Sequence, residues 1–300
     1  MAMNKVTASR RNNRGMVRKP RAQTQKLHDQ IADVAGLYKQ MTVRQLYYQL
    51  VARGLPKTEQ AYDRVQEATV QMRLAGALPY RKIADGSRTR TQVASYSNLG
   101  EALEHTQSFY RRDYWQNAPN RIEVWCEKDA LTGVIQPICQ EYGVTYVATR
   151  GFPSMTLMYE SAMIMRLYDD ASVNGQGTKL YYFGDHDASG RSISDGLLER
   201  LWAHGAPAEV IRRALEPEQI REHRLPTRPN KKSDTRRRAF AAQYGDESVE
   251  LDALPPGVLE DLVRDCIVEN IDPAIWEQLE VAEESERATL GTLALNYKDE

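Results

Sequence analysis

Three carboxylates in this 300-residue chain are spaced so that they could bind a divalent cation. Asp185 and Asp187 lie one residue apart in GDHDASG, directly after the apolar run TKLYYF, and Glu127 ends the earlier run RIEVWCE. Converging carboxylates repel one another unless they are protonated, paired or bridged by cations. Mg²⁺ suits such a site because it binds a few carboxylates together with water and a phosphate oxygen. The pattern therefore predicts a Mg²⁺ site, with Mn²⁺ as the alternative ion, although an Asp-x-Asp pair is also common in ordinary turns.

A tyrosine in the stretch TVRQLYYQLVARG, residues 42–54, is the second candidate for chemistry. Helical spacing places an apolar stripe on one side of this segment, formed by Val43, Leu46, Tyr47 and Leu50. Tyr48 falls outside the stripe and Arg44 lies one turn before it, so we expect Tyr47 in the core and Tyr48 at the surface. A phenol is a poor nucleophile at neutral pH unless a cation or metal stabilises its phenolate. An exposed structural tyrosine is therefore the alternative interpretation.

The segments around this tyrosine predict a helical N-terminal domain over residues 27–95. Helices are expected at 27–41, at 42–54, where Thr42 and Gln45 form a capping box, and at 58–76, and a short strand and turn follow in ALPYRKIADGSR. Three short helices and a β-extension are typical of a winged helix-turn-helix, with residues 58–75 as the recognition helix. Residues 96–118 read as a polar helical connector.

From residue 119 to residue 300 the pattern changes to an α/β domain. The β-rich runs RIEVWCEKD, VTYVATRG and TKLYYFGD alternate with helical stretches at 129–141 and 154–169. This alternation predicts a parallel sheet covered by helices on its faces. Ligand sites in such sheets form beyond the carboxyl ends of the strands, where Glu127, Asp185 and Asp187 are expected. The acidic C-terminal part is expected to be mostly helical.

Composition bounds the class of protein. No apolar run approaches the length of a membrane span, and Cys126, Cys139 and Cys266 are too few and too widely spaced for a disulfide framework or a zinc site. These features favour a cytoplasmic protein with no membrane partner. The net charge of −1 conceals a basic, polar arm at residues 1–26, which we expect to be disordered and either to lie along phosphates or to act as a solubilising tail.

Motifs at both candidate sites resemble one known family. VWCEK followed by YYFGDHDASG resembles the Toprim domain of topoisomerases, primases and related nucleases. TVRQLYYQLVARG resembles the tyrosine-bearing helix in the winged-helix domain of the topoisomerase VI A subunit and of the related meiotic double-strand-break transesterase. RGFPSMT and VELDALPP are similar to two further segments of that family. The resemblance covers roughly residues 40–270, and the short chain points to the stand-alone "mini-A" type; QLVARGL departs from the family's aromatic-containing continuation.

The resemblance implies a Mg²⁺-dependent DNA-cleaving transesterase that acts on double-stranded DNA as a homodimer. Glu127, Asp185 and Asp187 would be the metal ligands, and Glu127 would also assist proton transfer. Tyr48 would attack the DNA backbone to give a 5′-phosphotyrosyl link, with Arg44 as a phosphate clamp. Further phosphate contacts are expected at Lys128 and in the basic loop 225–238, where the candidates are Lys231, Lys232 and Arg236. For the loop, a solvated basic face is the alternative interpretation.

Two other interpretations stay open at this stage. In a hydrolytic Toprim nuclease, like the OLD type or the nuclease subunit of Wadjet plasmid defence, metal-activated water attacks and Tyr48 is incidental. In a DNA-binding module the carboxylate site is vestigial. The sequence contains no P-loop, so ATP-driven strand passage would require a B-type ATPase partner.

Overall fold

The computed structural model describes residues 22–84, 93–170, 175–206, 208–230 and 233–297. Its centre is a four-stranded parallel sheet in the order β2-β1-β3-β4, formed by β1 (Asn120–Cys126), β2 (Thr145–Ala148), β3 (Gly177–Phe183) and β4 (Ala208–Ala214). The three predicted strands and their parallel pairing are confirmed. The sequence did not predict β4, because this edge strand, AEVIRRA, carries charged residues along an apolar pattern too short to detect.

Helices cover both faces of the sheet, as the alternating pattern predicts. On one face, α6 (Met155–Asp169) and α7 (Ala188–Ala203) pack against Trp125, Leu180 and Tyr182. On the other face, α5 (Thr132–Glu141) and α10 (Pro256–Val268) pack against a second set of strand residues: Val124, Cys126, Tyr181 and Phe183. Successive side chains of a strand point to opposite faces, so β1 and β3 contribute to both clusters.

The N-terminal helices are α1 (Ala22–Leu37), α2 (Val43–Val51) and α3 (Glu59–Leu74). Thr42 and Gln45 form the predicted capping box, each side chain accepting a hydrogen bond from the other residue's backbone N–H. Residues 22–26, which the sequence assigns to the basic arm, are already helical; the rest of the arm lies outside the described residues. The strand expected after α3 is instead a 3₁₀ turn at Tyr80–Lys82 and a single bridge between Met41 and Ile83.

A wing is not confirmed, since no β-hairpin follows α3 within the described residues and residues 85–92 lie outside them. The three helices do not have a core of their own. Leu46 of α2 and Val124 of β1 belong to one buried apolar cluster, so the helical unit packs directly on the sheet domain.

The remaining elements complete the C-terminal part. The expected connector is helical only in α4 (Leu99–Phe109), which packs on the long α11 (Pro273–Asn296). Between β4 and α10 lie α8 (Pro217–Glu222), α9 (Arg237–Tyr244) and a short antiparallel pair, β5 (Arg228–Pro229) with β6 (Glu247–Ser248). No helix in the described ranges is long and apolar enough to cross a membrane.

Candidate active site

The three predicted carboxylates lie at one edge of the sheet. Glu127 directly follows β1, and Asp185 and Asp187 follow the neighbouring strand β3. The backbone N–H of Asp185 donates a 3.0 Å hydrogen bond to Oε2 of Glu127. Because parallel strands end at the same edge, the register of β1 with β3 brings residues 58 positions apart into contact.

Backbone N–H groups orient all three carboxylates. Oδ1 of Asp185 accepts a 2.8 Å hydrogen bond from Leu251 N–H, and Oδ1 of Asp187 accepts one of 2.8 Å from Gly190 N–H. Asp187 thereby caps the N-terminus of α7. Among the described residues, the second oxygen of each carboxylate accepts no hydrogen bond. Each side chain is therefore held through one oxygen and leaves the other available.

Two glycines allow the backbone to approach these carboxylates. A Cβ at Gly184 would lie 2.8 Å from Oε2 of Glu127, and a Cβ at Gly190 would lie 2.3 Å from the carbonyl oxygen of Asp185. The contact at Gly184 would require a neighbouring side chain to move, and the contact at Gly190 would require the backbone of the turn to move. The glycines of GDHDASG are therefore required for space rather than for a left-handed backbone conformation.

The carboxylates also interact electrostatically. Burial, together with the nearby charges of Asp185 and Asp187, raises the pKa of Glu127 to about 7. Burial likewise raises the pKa of Asp185, although the Lys128 ammonium opposes this shift. Close carboxylates of this kind favour protonation or the binding of a cation.

The donor set fits Mg²⁺ or Mn²⁺ in type. Three carboxylates, each with one oriented and one available oxygen, are the hard ligands that such ions take. As the chain stands, however, no three His, Cys, Asp or Glu side chains in the described ranges are arranged to hold a metal ion. The metal therefore stays a prediction that rests on the chemistry of the donors.

Lys128 is part of an internal network of ion pairs. Its Nζ lies 3.0 Å from Oδ1 of Asp185, 2.6 Å from Oδ2 of Asp252 and 3.5 Å from Oε2 of Glu250, and its side chain is only 17 % exposed. Burial lowers the pKa of Lys128, but the attraction of these three carboxylates outweighs that effect and raises it. Lys128 therefore pairs with one of the three site carboxylates, Asp185, and its role as a phosphate contact stays a prediction.

The expectation that Tyr48 is exposed is wrong. Tyr48 is 5 % exposed, nearly the same as Tyr47, because α2 packs on α1 and α3 on one side and on the 3₁₀ turn Leu251–Ala253 on the other. Burial and the charge of Glu250 raise the pKa of the Tyr48 phenol, which makes the phenolate less accessible. The hydroxyl of Tyr47 donates to the carbonyl oxygen of Thr58 at 3.2 Å, which gives it a structural role.

The structure places the other predicted contacts as follows. Arg44 forms a 2.7 Å ion pair with Glu250, 206 residues later in the chain. Arg236 pairs with Asp234 and donates a 2.9 Å hydrogen bond to Oγ of Ser189, beside the start of α7. Lys231 and Lys232 lie outside the described residues. The roles of all four in binding DNA stay predictions.

One residue important to the site is missed by sequence reasoning. Arg212 of β4 donates from Nη2 to the carbonyl oxygens of Gly184 (2.9 Å) and Asp185 (2.6 Å) and from Nη1 to that of Gly190 (3.0 Å). Its guanidinium therefore clamps the turn that carries both aspartates. The only signal in the sequence is an arginine within a short apolar run, which is too weak to identify such a residue.

Comparison with known proteins adds no assignment. No protein-family model matches this chain, and no curated protein is significantly similar to it. The functional proposal therefore depends on the geometry of the site and on the motifs.

Proposed function

We propose that this chain cleaves the DNA backbone at the edge of the sheet where Glu127, Asp185 and Asp187 meet, with water as the nucleophile. The observation that carries this proposal is that three carboxylates follow neighbouring strand ends, each fixed by a backbone N–H and each with a second oxygen that accepts no hydrogen bond from a described residue. These side chains would hold Mg²⁺ or Mn²⁺. The ion would supply positive charge for the scissile phosphate and lower the pKa of a bound water.

The chain's own residues support a hydrolytic reaction. If Asp185 and Asp187 hold the ion, Oε1 of Glu127 is the candidate proton acceptor from the attacking water, since Oε2 is already bonded to the Asp185 N–H. The water oxygen forms a bond to phosphorus, the bond to the 3′-oxygen breaks, and solvent protonates that oxygen. The products are a 5′-phosphate and a 3′-hydroxyl.

Transesterification by Tyr48, as in the topoisomerase VI A family, is the second candidate. The observation that favours it is a set of cations near this phenol. Lys57 Nζ lies 5.4 Å from the centroid of the Tyr48 ring, and the charges of Arg228, Lys128 and Arg44 each act to lower the pKa of the Tyr48 hydroxyl. Burial opposes it, because α2 would have to move before a phosphate could reach the hydroxyl.

The wider organisation is proposed on the same resemblance. We infer that the helices α1 to α3 belong to a winged-helix unit that binds double-stranded DNA, and that the chain acts as a cytoplasmic, DNA-associated homodimer. A two-fold dimer places one cutting site on each strand, which yields double-strand breaks. ATP-driven strand passage would need a separate B-type ATPase subunit.

A plasmid assay tests the proposed function. Supercoiled DNA is incubated with the full chain and Mg²⁺ or Mn²⁺, and products are compared with and without protease digestion. Hydrolysis predicts free ends, loss of cutting in Asp185→Asn, and normal cutting in Tyr48→Phe. If the DNA ends are linked to protein, as protease digestion would show, and this link is lost in Tyr48→Phe, the reaction is transesterification and not hydrolysis. Cutting that persists unchanged in Asp185→Asn would overturn the carboxylate site altogether.

A further inference from the structure

A single buried carboxylate joins two arginines from distant parts of the chain. Oε2 of Glu250 lies 2.7 Å from Nη1 of Arg44 on α2, and Oε1 lies 2.5 Å from Nη1 of Arg228 on β5. Glu250 is 6 % exposed, whereas the arginine side chains are 44 % and 36 % exposed. The carboxylate is therefore shielded from solvent, whereas both arginine side chains are partly exposed.

Each guanidinium keeps most of its hydrogen-bonding capacity. An arginine has five N–H donors in a planar fork, and here each contributes one nitrogen, Nη1, to Glu250. Among the described residues, no hydrogen bond is made by Nε or Nη2 of either Arg44 or Arg228. Two oriented forks with available donors match the oxygens of a phosphate group, which arginine binds in a bidentate manner.

The charge at this place is also incompletely neutralised. Arg44 and Arg228 share the one negative charge of Glu250, whereas Lys128, 3.5 Å from Oε2 of Glu250, is paired more closely with Asp185 and Asp252. The ammonium of Lys57 lies close by; burial lowers its pKa, and the neighbouring charge of Arg228 lowers it further. A negatively charged ligand arriving from solvent would therefore be attracted to the exposed side of Arg44 and Arg228.

We propose that Arg44 and Arg228 form a clamp for a phosphate of the DNA backbone, and that Glu250 is the residue that positions both arginines. The inference rests on the proposed function and adds Arg228 and Glu250 to it. The same network connects the clamp to the carboxylate site, because Lys128 contacts both Glu250 and Asp185. A phosphate bound here lies next to the proposed cleavage site within one chain.

The proposal makes an unexpected prediction for Glu250→Gln. This substitution removes a negative charge, so simple electrostatic attraction predicts tighter DNA binding. A positioning role predicts the opposite. The Gln amide replaces one of the two accepting oxygens by an N–H₂ donor, so one guanidinium would face a donor where Glu250 presents an oxygen, and that arginine would lose its orientation.

Binding of a fluorescent DNA duplex to the full chain in EDTA tests this prediction without any cleavage. We expect Arg44→Gln and Arg228→Gln each to weaken binding about threefold to tenfold and to lower the slope of log K against log salt by about one. Glu250→Gln should weaken binding by a similar factor. Arg221→Gln and Glu218→Gln, which alter an exposed ion pair on α8, are the matched controls for the same charge changes and should bind nearly as the parent does.

Several outcomes would overturn the clamp. If Glu250→Gln binds DNA as tightly as Glu218→Gln or more tightly, Glu250 does not position the arginines. If Arg228→Gln binds DNA as tightly as Arg221→Gln does, Arg228 is not part of the clamp. If Glu250→Gln does not fold, Arg44→Lys and Arg228→Lys carry the test, since they keep the charge but lose the planar fork; parent-like binding by both would refute the bidentate contact.

Inorganic phosphate has the same oxygens as the DNA backbone, and a competition experiment tells the two ligands apart. If DNA is the ligand, phosphate displaces the duplex no better than chloride does at equal ionic strength. If phosphate displaces the duplex at a lower ionic strength than chloride does, the ligand of the clamp is free phosphate instead. Because neither experiment needs metal or cutting, a failed clamp leaves the hydrolytic proposal intact, and a failed plasmid assay leaves the binding results interpretable.

Discussion

The backbone N–H of Asp185 donates to the carboxylate of Glu127, so the turn after β3 holds the glutamate that ends β1. This bond fixes the two halves of the candidate site relative to one another in the absence of any ligand. The bond also brings Oε2 of Glu127 close to the start of α7, where a Cβ on Gly190 would lie 3.1 Å from that oxygen.

Gly190→Ala should destabilise the fold by about 1–3 kcal/mol, because the new Cβ would meet the Asp185 carbonyl oxygen at 2.3 Å. Gly36→Ala is the matched control. Gly36 is also helical, and a Cβ there has no neighbour within 4 Å, so this variant should gain about 0.5–1 kcal/mol from helix propensity. Urea denaturation of both variants measures the difference. Equal effects of the same sign would show that the turn is not tightly packed.

Arg212→Lys should destabilise the chain by about 2–4 kcal/mol, because one ammonium cannot reach the three carbonyl oxygens that the guanidinium contacts. Arg213→Lys changes the neighbouring residue, whose guanidinium contacts Cys266 and Glu269 instead, and should cost much less. Hydrogen exchange at the amide of Asp185 should accelerate in Arg212→Lys alone. Unchanged exchange there would remove the positioning role of Arg212.

Lys128→Met should destabilise the fold by about 3–5 kcal/mol, since it leaves the buried carboxylates of Asp252 and Asp185 without their cation. Lys179→Met is the control, because the amine of Lys179 donates to the neutral side chain of Asn270. Thermal and urea denaturation compare the two. If Lys128→Met is as stable as Lys179→Met, the lysine is not a structural cation, and a phosphate contact becomes the better interpretation.

Glu123 gives the stability a specific pH dependence. Burial raises its pKa to about 7, although the hydrogen bond from Trp125 Nε1 opposes the shift. The folded state therefore binds the proton more tightly than the unfolded state, and the free energy of unfolding should fall by about 3 kcal/mol as the pH rises from about 4.5 to about 7. Glu123→Gln should remove this part of the loss and leave the part due to Glu127, whose pKa is also raised to about 7.

The comparison is made by urea denaturation at about pH 5 and about pH 8. Glu218→Gln, a change of an exposed carboxylate on α8, serves as the control and should keep the parent's pH dependence in this window. A parallel pH dependence in Glu123→Gln and the parent would show that another group is responsible.

The parts of the fold that local pattern determines are the parts that the sequence predicts. Apolar runs predict β1, β2 and β3, and Thr42 with Gln45 predicts where α2 begins, because capping is decided within one turn. The edge strand β4 is missed, since its charged residues, Glu209, Arg212 and Arg213, resemble a polar segment until the sheet is present to pair with it. The wing is the remaining prediction without support in the described residues.

The sequence by itself predicts that Glu127, Asp185 and Asp187 lie at one edge of the sheet, because parallel strands all end at the same edge; that β1 and β3 are neighbours is decided by the tertiary structure. The sequence does not determine what surrounds them. Helical periodicity describes one buried face of α2 and leaves Tyr48 on the other, but a 3₁₀ turn some 200 residues later covers that second face. The same long-range packing places Glu250 between Arg44 and Arg228 and Lys128 among three carboxylates. Burial and ion pairing depend on contacts between distant segments, so only the tertiary structure decides which candidate groups are exposed and which are already paired.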